Sequence, residues 1–386
     1  MAAKQIDQLI IVGNGFDKSI GFPTSYSEFL LFLLKEEFDR IAEISAIRRN
    51  DISFMHNYDD NLLFEFYLRR NYNKGLFLKT IDKELIQKKD FYSFRKLTDV
   101  YFRFKSDFIQ KLFDFKDENW GDIETIYYRH LLAAKDAKVF DLEKVNLINS
   151  QLDYIKKQLI FYLSSFKMAQ VKVDFFGPNK FSDILNKKNK TELINPTSPK
   201  GNVKVIDRYF INFNYTDFLK KIFDKSDFKD NSEIIPIHGN IEDNLNHDHT
   251  IKDNLDNIIF GYGDEDNEDF DSLKNAGTDS LLKNIKTYNY QNNNNYKKLL
   301  GVLTRSKDFQ VIIYGHSCSL SDRVLLREIF ENDKCKSIRV LHHSGIDSYY
   351  RTIYNISRIF KENRNVREKV VSFDKLDEIP QDNLLE

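Results

Sequence analysis

Cysteine is nearly absent: Cys318 and Cys335 are the only two in 386 residues. Two thiols cannot build a disulfide framework or a four-thiolate zinc site, so a reducing compartment, the cytoplasm, is expected. Tryptophan occurs once and proline six times, with none between Pro23 and Pro178, an interval that suits long helices. Long apolar runs are missing too. Phe29–Leu34 is the longest, far short of the ~20 residues of a membrane span. The first residues carry no h-region of a secretory signal, so no membrane association is expected. Charge of one sign is not in excess: 58 Lys+Arg stand against 59 Asp+Glu, a net charge of −1. Nucleic acid is therefore not indicated by any global basic field. What is plentiful is aromatic, with 33 Phe and 20 Tyr in a chain that is 41% hydrophobic and 30% charged. That is the composition of a globular protein with an aromatic-rich, largely helical core.

The apolar run Gln8–Val12, closed by Gly13-Asn14-Gly15, predicts a fully buried strand and a tight turn. Ser25 and Glu28 have capping-box spacing, which starts a helix near Tyr26 and carries it to about Arg48. Segments 60–70, 91–116, 120–136 and 141–168 read as helices. The last carries the stripe Ile148, Leu152, Ile155, Leu159, Tyr162. Residues 177–202 read as a loop or linker. Beyond it Val203–Asn212, Glu233–Ile237, Asn257–Phe260, Phe309–Tyr314 and Ser337–Leu341 read as strands, with a further one at Val370–Phe373. Helical patterns at 215–225, 321–333 and 347–362 alternate with them. The expected fold is α/β, a Rossmann-like parallel sheet with a large inserted helical block. Residues 1–27 and 200–386 would form the nucleotide-binding domain, and 28–199 the inserted helical domain and linker.

Four strand ends carry the candidate chemistry. Gly13 and Gly15 let backbone approach a phosphate, although a plain glycine turn leaving a buried strand reads equally well. The dinucleotide fingerprint fails, because position 18 is Lys and no second strand with an acidic end follows. Asn212, Asn214 and Thr216 end the second strand, or cap the helix after it. His238 beside Gly239 ends the third and is a general-base candidate if its pKa lies near neutrality, or else a structural histidine. Gly315, His316 and Ser317 end the fourth, with Ser321 placed to cap the next helix. All four ends should share one edge of one sheet, the geography of a nucleotide site. No metal is expected. His247 and His249 lack a third ligand, and Asp264–Asp271 departs from the calcium-loop pattern and reads, like Asn292–Asn295, as solvated loop. Cys318 reads as a small buried hydrophobe.

Gly13-Asn14-Gly15-Phe16-Asp17 followed by Gly21-Phe22-Pro23-Thr24-Ser25-Tyr26 resembles the N-terminal motif of the bacteriophage abortive-infection AbiH family. Trp120–Glu124, Phe213–Thr216, His238-Gly239 and Tyr314–Ser317 resemble further motifs of that family. The resemblance runs from residue 9 to about 330 and implies an anti-phage defence role. A more distant similarity is to sirtuin-like NAD-binding domains. Gly13, Gly15, Gly21 and Pro23 fit their first motif, Asn214 the catalytic Asn, His238 the catalytic His, and Gly315 and Ser317 the last Gly and Ser. Asp17, Thr216 and Tyr26 depart from that pattern.

The sirtuin-like resemblance implies NAD as substrate. Gly13, Asn14, Gly15, Phe16, Asp17, Gly21, Pro23, Tyr26, Thr216, Gly315, His316 and Ser317 would hold it. Asn214 and His238 would serve cleavage of the nicotinamide–ribose bond. Two cysteines cannot supply the zinc module of the deacylases, and the resemblance to sirtuin-like domains of defence systems, which hydrolyse NAD, implies hydrolysis as the reaction. A non-catalytic nucleotide sensor or scaffold is the alternative, and a nucleic-acid enzyme, with a basic and aromatic surface over Arg95–Lys111, the third. A phage trigger or defence partner protein and a homo-oligomer are expected.

Overall fold

The structure, a computed structural model, describes residues 4–47, 62–66, 102–113, 121–136, 139–166, 178–186, 203–224, 226, 231–246, 248, 250–267 and 269–381. The chain divides into two compact units. One comprises Met1–Thr24, Leu163–Ser272 and Asn284–Glu386, the other Ser25–Tyr162 and Leu273–Lys283.

The first unit is built on five strands: β1 (Lys4–Val12), β2 (Val203–Asn212), β3 (Ser232–Pro236), β4 (Phe309–Tyr314) and β5 (Cys335–Leu341). They lie in the order β3-β2-β1-β4-β5, and every neighbouring pair is parallel. An all-parallel sheet is covered on both faces, so its central strands read as continuous apolar runs. Ile10, Ile11 and Val12 of β1 and Val311, Ile312 and Ile313 of β4 are accordingly buried. One face packs Leu9, Ile11, Ile211 and Ile313 against Leu299, Leu326, Ile329 and Ile356. The other packs Ile10, Phe210 and Ile312 against Phe16, Phe181, Phe218 and Ile222. The fold is thus the α/β, Rossmann-like arrangement expected from the sequence. Strand order reverses between β1 and β4, and crevices at such a reversal bind ligands in open α/β sheets.

Several segments differ from expectation. Asn257–Phe260 forms no strand, although Ile258, Ile259 and Phe260 are buried. It is a loop whose Ile259 N–H donates to the His238 carbonyl at 2.9 Å. Val370 makes an isolated bridge to Ile338 in place of a sixth strand. Pro178–Asn186, inside the expected linker, is a helix with Pro178 at its first position, where a missing N–H costs nothing. Phe181, Ile184 and Leu185 anchor it in the core. Asn295 opens the helix Asn295–Arg305, so the Asn run is not simply loop.

The second unit is largely helical, with Tyr26–Ile47, Gly121–Ala133 and Leu142–Ser164 as its long helices. The capping box forms: Ser25 N–H donates to Glu28 Oε2 at 3.0 Å and Glu28 N–H to Ser25 Oγ at 3.3 Å. The stripe from Ile148 to Tyr162 is buried throughout. Phe64–Phe66 and Phe102–Phe104 pair as antiparallel strands where helices were expected. The Phe64 and Phe104 rings lie 5.6 Å apart and Arg103 Nε donates to Glu65 Oε2 at 2.6 Å, cross-strand pairs that only a sheet provides.

Candidate functional site

Because β1 to β4 are parallel, their C-terminal ends share one edge, within one unit. After β1 the chain passes through Gly13 into the short helix Asn14–Ser19. Gly13 N–H donates to the Tyr314 carbonyl at 3.0 Å, Gly15 N–H to Gly315 at 2.8 Å and Phe16 N–H to Gly13 at 2.8 Å. These three amides are engaged inside the protein. The glycines are required by a backbone contact between the turns after β1 and β4. A Cβ on Gly15 would fall 2.6 Å from Gly315 Cα, and one on Gly315, whose φ is +69°, 2.5 Å from Phe16 N. The turn therefore shapes the edge and does not offer those donors. Asn14 Nδ2 donates to the Thr24 carbonyl at 2.8 Å. Phe16 is core, 5.4 Å from the Tyr314 ring centroid. Gly21, at φ +92°, ends the helix: Gly21 N–H donates to Lys18 O at 2.9 Å and Phe22 N–H to Asp17 O at 3.0 Å, the paired bonds of a Schellman cap with Pro23 just beyond. Tyr26 belongs to the helical unit, where its hydroxyl donates to Leu112 O at 3.1 Å.

Two buried polar clusters occupy the edge. In the first, Asn214 Nδ2 donates to Asp17 Oδ1 at 2.9 Å and to Gly13 O at 3.1 Å, and Thr216 Oγ1 donates to Asp17 Oδ2 at 2.6 Å. Asn212 Oδ1 accepts from Asn214 N–H at 3.1 Å and so shapes the loop after β2. Burial pushes the Asp17 carboxyl up to about 7, against the lowering effect of its Thr216 and Asn214 donors, with Asp217 adding to the rise.

In the second cluster two histidines address opposite oxygens of one carboxylate. His238 Nε2 lies 3.2 Å from Asp322 Oδ1 and His316 Nε2 lies 3.6 Å from Asp322 Oδ2. Lys286 Nζ donates to Asp322 Oδ1 at 2.7 Å. All four side chains are buried. The Phe213 ring sits between the histidines, its centroid 4.9 Å from His238 and 4.2 Å from His316. Burial and the Lys286 ammonium pull His238 down to about 4, with Asp322 opposing them. His238 is therefore neutral at pH 7, below the neutral range assumed from sequence. Its Nε2–H serves Asp322 and its Nδ1 is left as acceptor. Burial disfavours the Asp322 charge, but Lys286 and His238 outweigh it and hold the carboxyl well below its usual range. His316 Nδ1 accepts from Cys318 N–H at 3.0 Å, made possible by Cys318 at φ +54°. Burial pushes the Cys318 thiol well up, which makes it inert. Ser317 is half-buried, and its carbonyl accepts from Asn355 Nδ2 at 2.8 Å.

The structure thus brings Gly13, Gly15, Asp17, Asn214 and Thr216 together, and His238 with His316. Sequence reading missed Lys286, Asp322 and Tyr290, whose hydroxyl lies 3.4 Å from His238 Nε2. Asp322 was masked by the expected Ser321 cap. It is itself the residue before the helix Arg323–Phe330, makes no side-chain cap, and turns its carboxylate to the histidines. Asp264, read as solvated, is buried and paired with Arg323 at 3.2 Å. Among the described residues no group of three or more His, Cys, Asp or Glu could hold a metal ion. His247 and His249 lie outside the described residues, as do Trp120 and 95–101. No described helix is long and apolar enough to cross a membrane.

The sequence matches the family described as bacteriophage abortive infection AbiH over residues 9–343. That span contains every strand end described above. No curated protein matches the chain. The family match carries a role in abortive-infection defence against phage, and it covers most of the sequence: the chain belongs to the bacteriophage abortive-infection AbiH family.

Proposed function

We propose that the chain acts in defence by consuming NAD, hydrolysing the nicotinamide–ribose bond at the C-terminal edge of its sheet. The observation that carries this reading is the arrival of Asn214 and His238 at adjacent parallel strand ends, on the edge that also carries the β1–β4 reversal, among buried groups of perturbed pKa. Such groups concentrate at functional sites. Departure of neutral nicotinamide leaves an oxocarbenium-like ribose, a reaction that needs chiefly orientation and a place for one proton. Asn214 would orient water or a ribose hydroxyl, and neutral His238, held through Nε2 by Asp322, would present Nδ1 to a hydroxyl. The Gly13–Gly15 and Gly315 turns would shape the diphosphate seat. This reading expects the protein in the cytoplasm, where NAD is, with a phage trigger or defence partner and self-association.

One observation favours a second reading, a nucleotide sensor or scaffold without turnover. Both Asn214 Nδ2 donors are engaged by Asp17 and Gly13, so neither is offered to a substrate. The two readings part on one experiment. The purified chain is incubated with NAD, with and without lysate of phage-infected cells, and nicotinamide is measured. Release that Asn214→Ala abolishes, together with phage resistance, supports hydrolysis. Calorimetric nucleotide binding without release, with resistance surviving His238→Ala, supports the sensor. Untouched NAD under both conditions, with resistance surviving Asn214→Ala, overturns the first.

A further inference from the structure

Asp17 is a buried carboxylate on the strand-end edge, in contact with Asn214 and Thr216. Its side chain joins the turn after β1 to the loop after β2, its neighbour in the sheet. Each oxygen receives one fixed hydrogen bond, from Asn214 Nδ2 at 2.9 Å and Thr216 Oγ1 at 2.6 Å. A carboxylate oxygen has room for a second partner, so the pair of donors orients Asp17 without filling its acceptor capacity. Asn214, the residue assigned above to water or a ribose hydroxyl, is in direct contact with it.

We propose that Asp17 accepts the proton of the attacking water, an inference that rests on the NAD-hydrolase reading. Water oxygen bonds to the ribose C1′ as the C1′–N bond breaks. The bond's electron pair goes to the nicotinamide ring, which becomes neutral, and the water proton passes to the Asp17 carboxylate. It leaves for solvent after product departs. Burial supports the role, since it pushes this carboxyl up to about 7 and places its proton affinity at the working pH. The charged neighbour that adds to the rise is Asp217, itself paired with Lys221 at 2.7 Å.

The test is a pH profile of nicotinamide release by the full chain, with the Asp17 carboxyl followed in parallel by carbon-13 NMR. The expected profile falls about tenfold per unit below its midpoint, and the midpoint coincides with the NMR titration. Asp17→Asn should lower kcat by roughly 10²–10⁴-fold, with calorimetric NAD affinity held within about threefold of the parent value. A midpoint more than about one unit from the carboxyl titration, or Asp17→Asn turning over at the parental rate, overturns the assignment while leaving the hydrolase reading intact. No release by the parent chain under any condition overturns both. The comparison of midpoints uses the parent chain alone and decides the matter even if the variant does not fold.

Discussion

Asn214 reaches across 197 positions of sequence to donate its amide to Asp17 at 2.9 Å. The contact ties the turn after β1 to the loop after β2, and Thr216 makes a second tie to the same carboxylate. Asn214→Ala removes a donor that matters most when Asp17 is ionised. The variant should lose about 1–3 kcal/mol above pH 7, and less at pH 5, where Asp17 carries its proton. Denaturant unfolding at pH 5 and pH 8.5 checks this, and an equal loss at both would mean that Asp17 does not titrate between them.

Asp17 and His238 should give stability opposite slopes with pH. The Asp17 carboxyl is raised in the fold from 3.8 to about 7, so the folded state binds the extra proton and stability falls as pH rises between those values. His238 is lowered from 6.5 to about 4, so the folded state refuses a proton and stability falls as pH drops through that range. The two contributions oppose each other across the shared window. Asp17→Asn should expose the His238 slope, with melting temperature dropping as the pH is lowered from 6.5 to 4. His238→Asn should expose the opposite one, with melting temperature dropping from pH 4 to 7. Parallel profiles in the two variants would contradict the assignment.

Much of this edge was legible in the sequence, and the reason is burial. The C-terminal halves of β1, β2 and β4 are buried, so they read as apolar runs ending abruptly in Gly or Asn, and their C-terminal limits were right, although β1 begins at Lys4, earlier than expected. Asn257–Phe260 shows the limit of that rule, since a buried loop beneath His238 has the same apolar pattern as a strand. Pro178 misled because a proline at the first turn of a helix and a proline in a linker look alike. Lys286 and Asp322 left no trace. A buried ion pair has no periodicity, and its members are recognisable only when the fold closes them on each other and on His238.

The glycines distinguish a packing role from a ligand role. A Cβ at Gly15 would lie 2.6 Å from Gly315 Cα, backbone that cannot swing aside. Gly15→Ala should therefore cost about 1–3 kcal/mol or more through forced displacement. Gly277→Ala is the control: its φ is +69° but nothing lies within 4 Å, so left-handed strain alone, about 1–2 kcal/mol, should appear. Unfolding curves for the two variants separate these cases. A Gly15→Ala protein of parental stability that had lost only nucleotide binding would show that the glycine serves the ligand instead.

Lys286 and Asp322 form the pair on which the two histidines depend. Removing the ammonium alone, as in Lys286→Met, leaves a buried carboxylate without its cation and should cost about 3–5 kcal/mol. Asp322→Asn added to that change removes the stranded charge, so the double variant should be more stable than the sum of the single losses. His238 provides an independent readout by nitrogen-15 NMR. The Lys286 charge helps hold that imidazole at about 4, so Lys286→Met should raise its midpoint, whereas Asp322→Asn, which takes away the opposing carboxylate, should lower it. An unmoved midpoint in both variants would mean that burial alone governs His238 and that the cluster does not act as a unit.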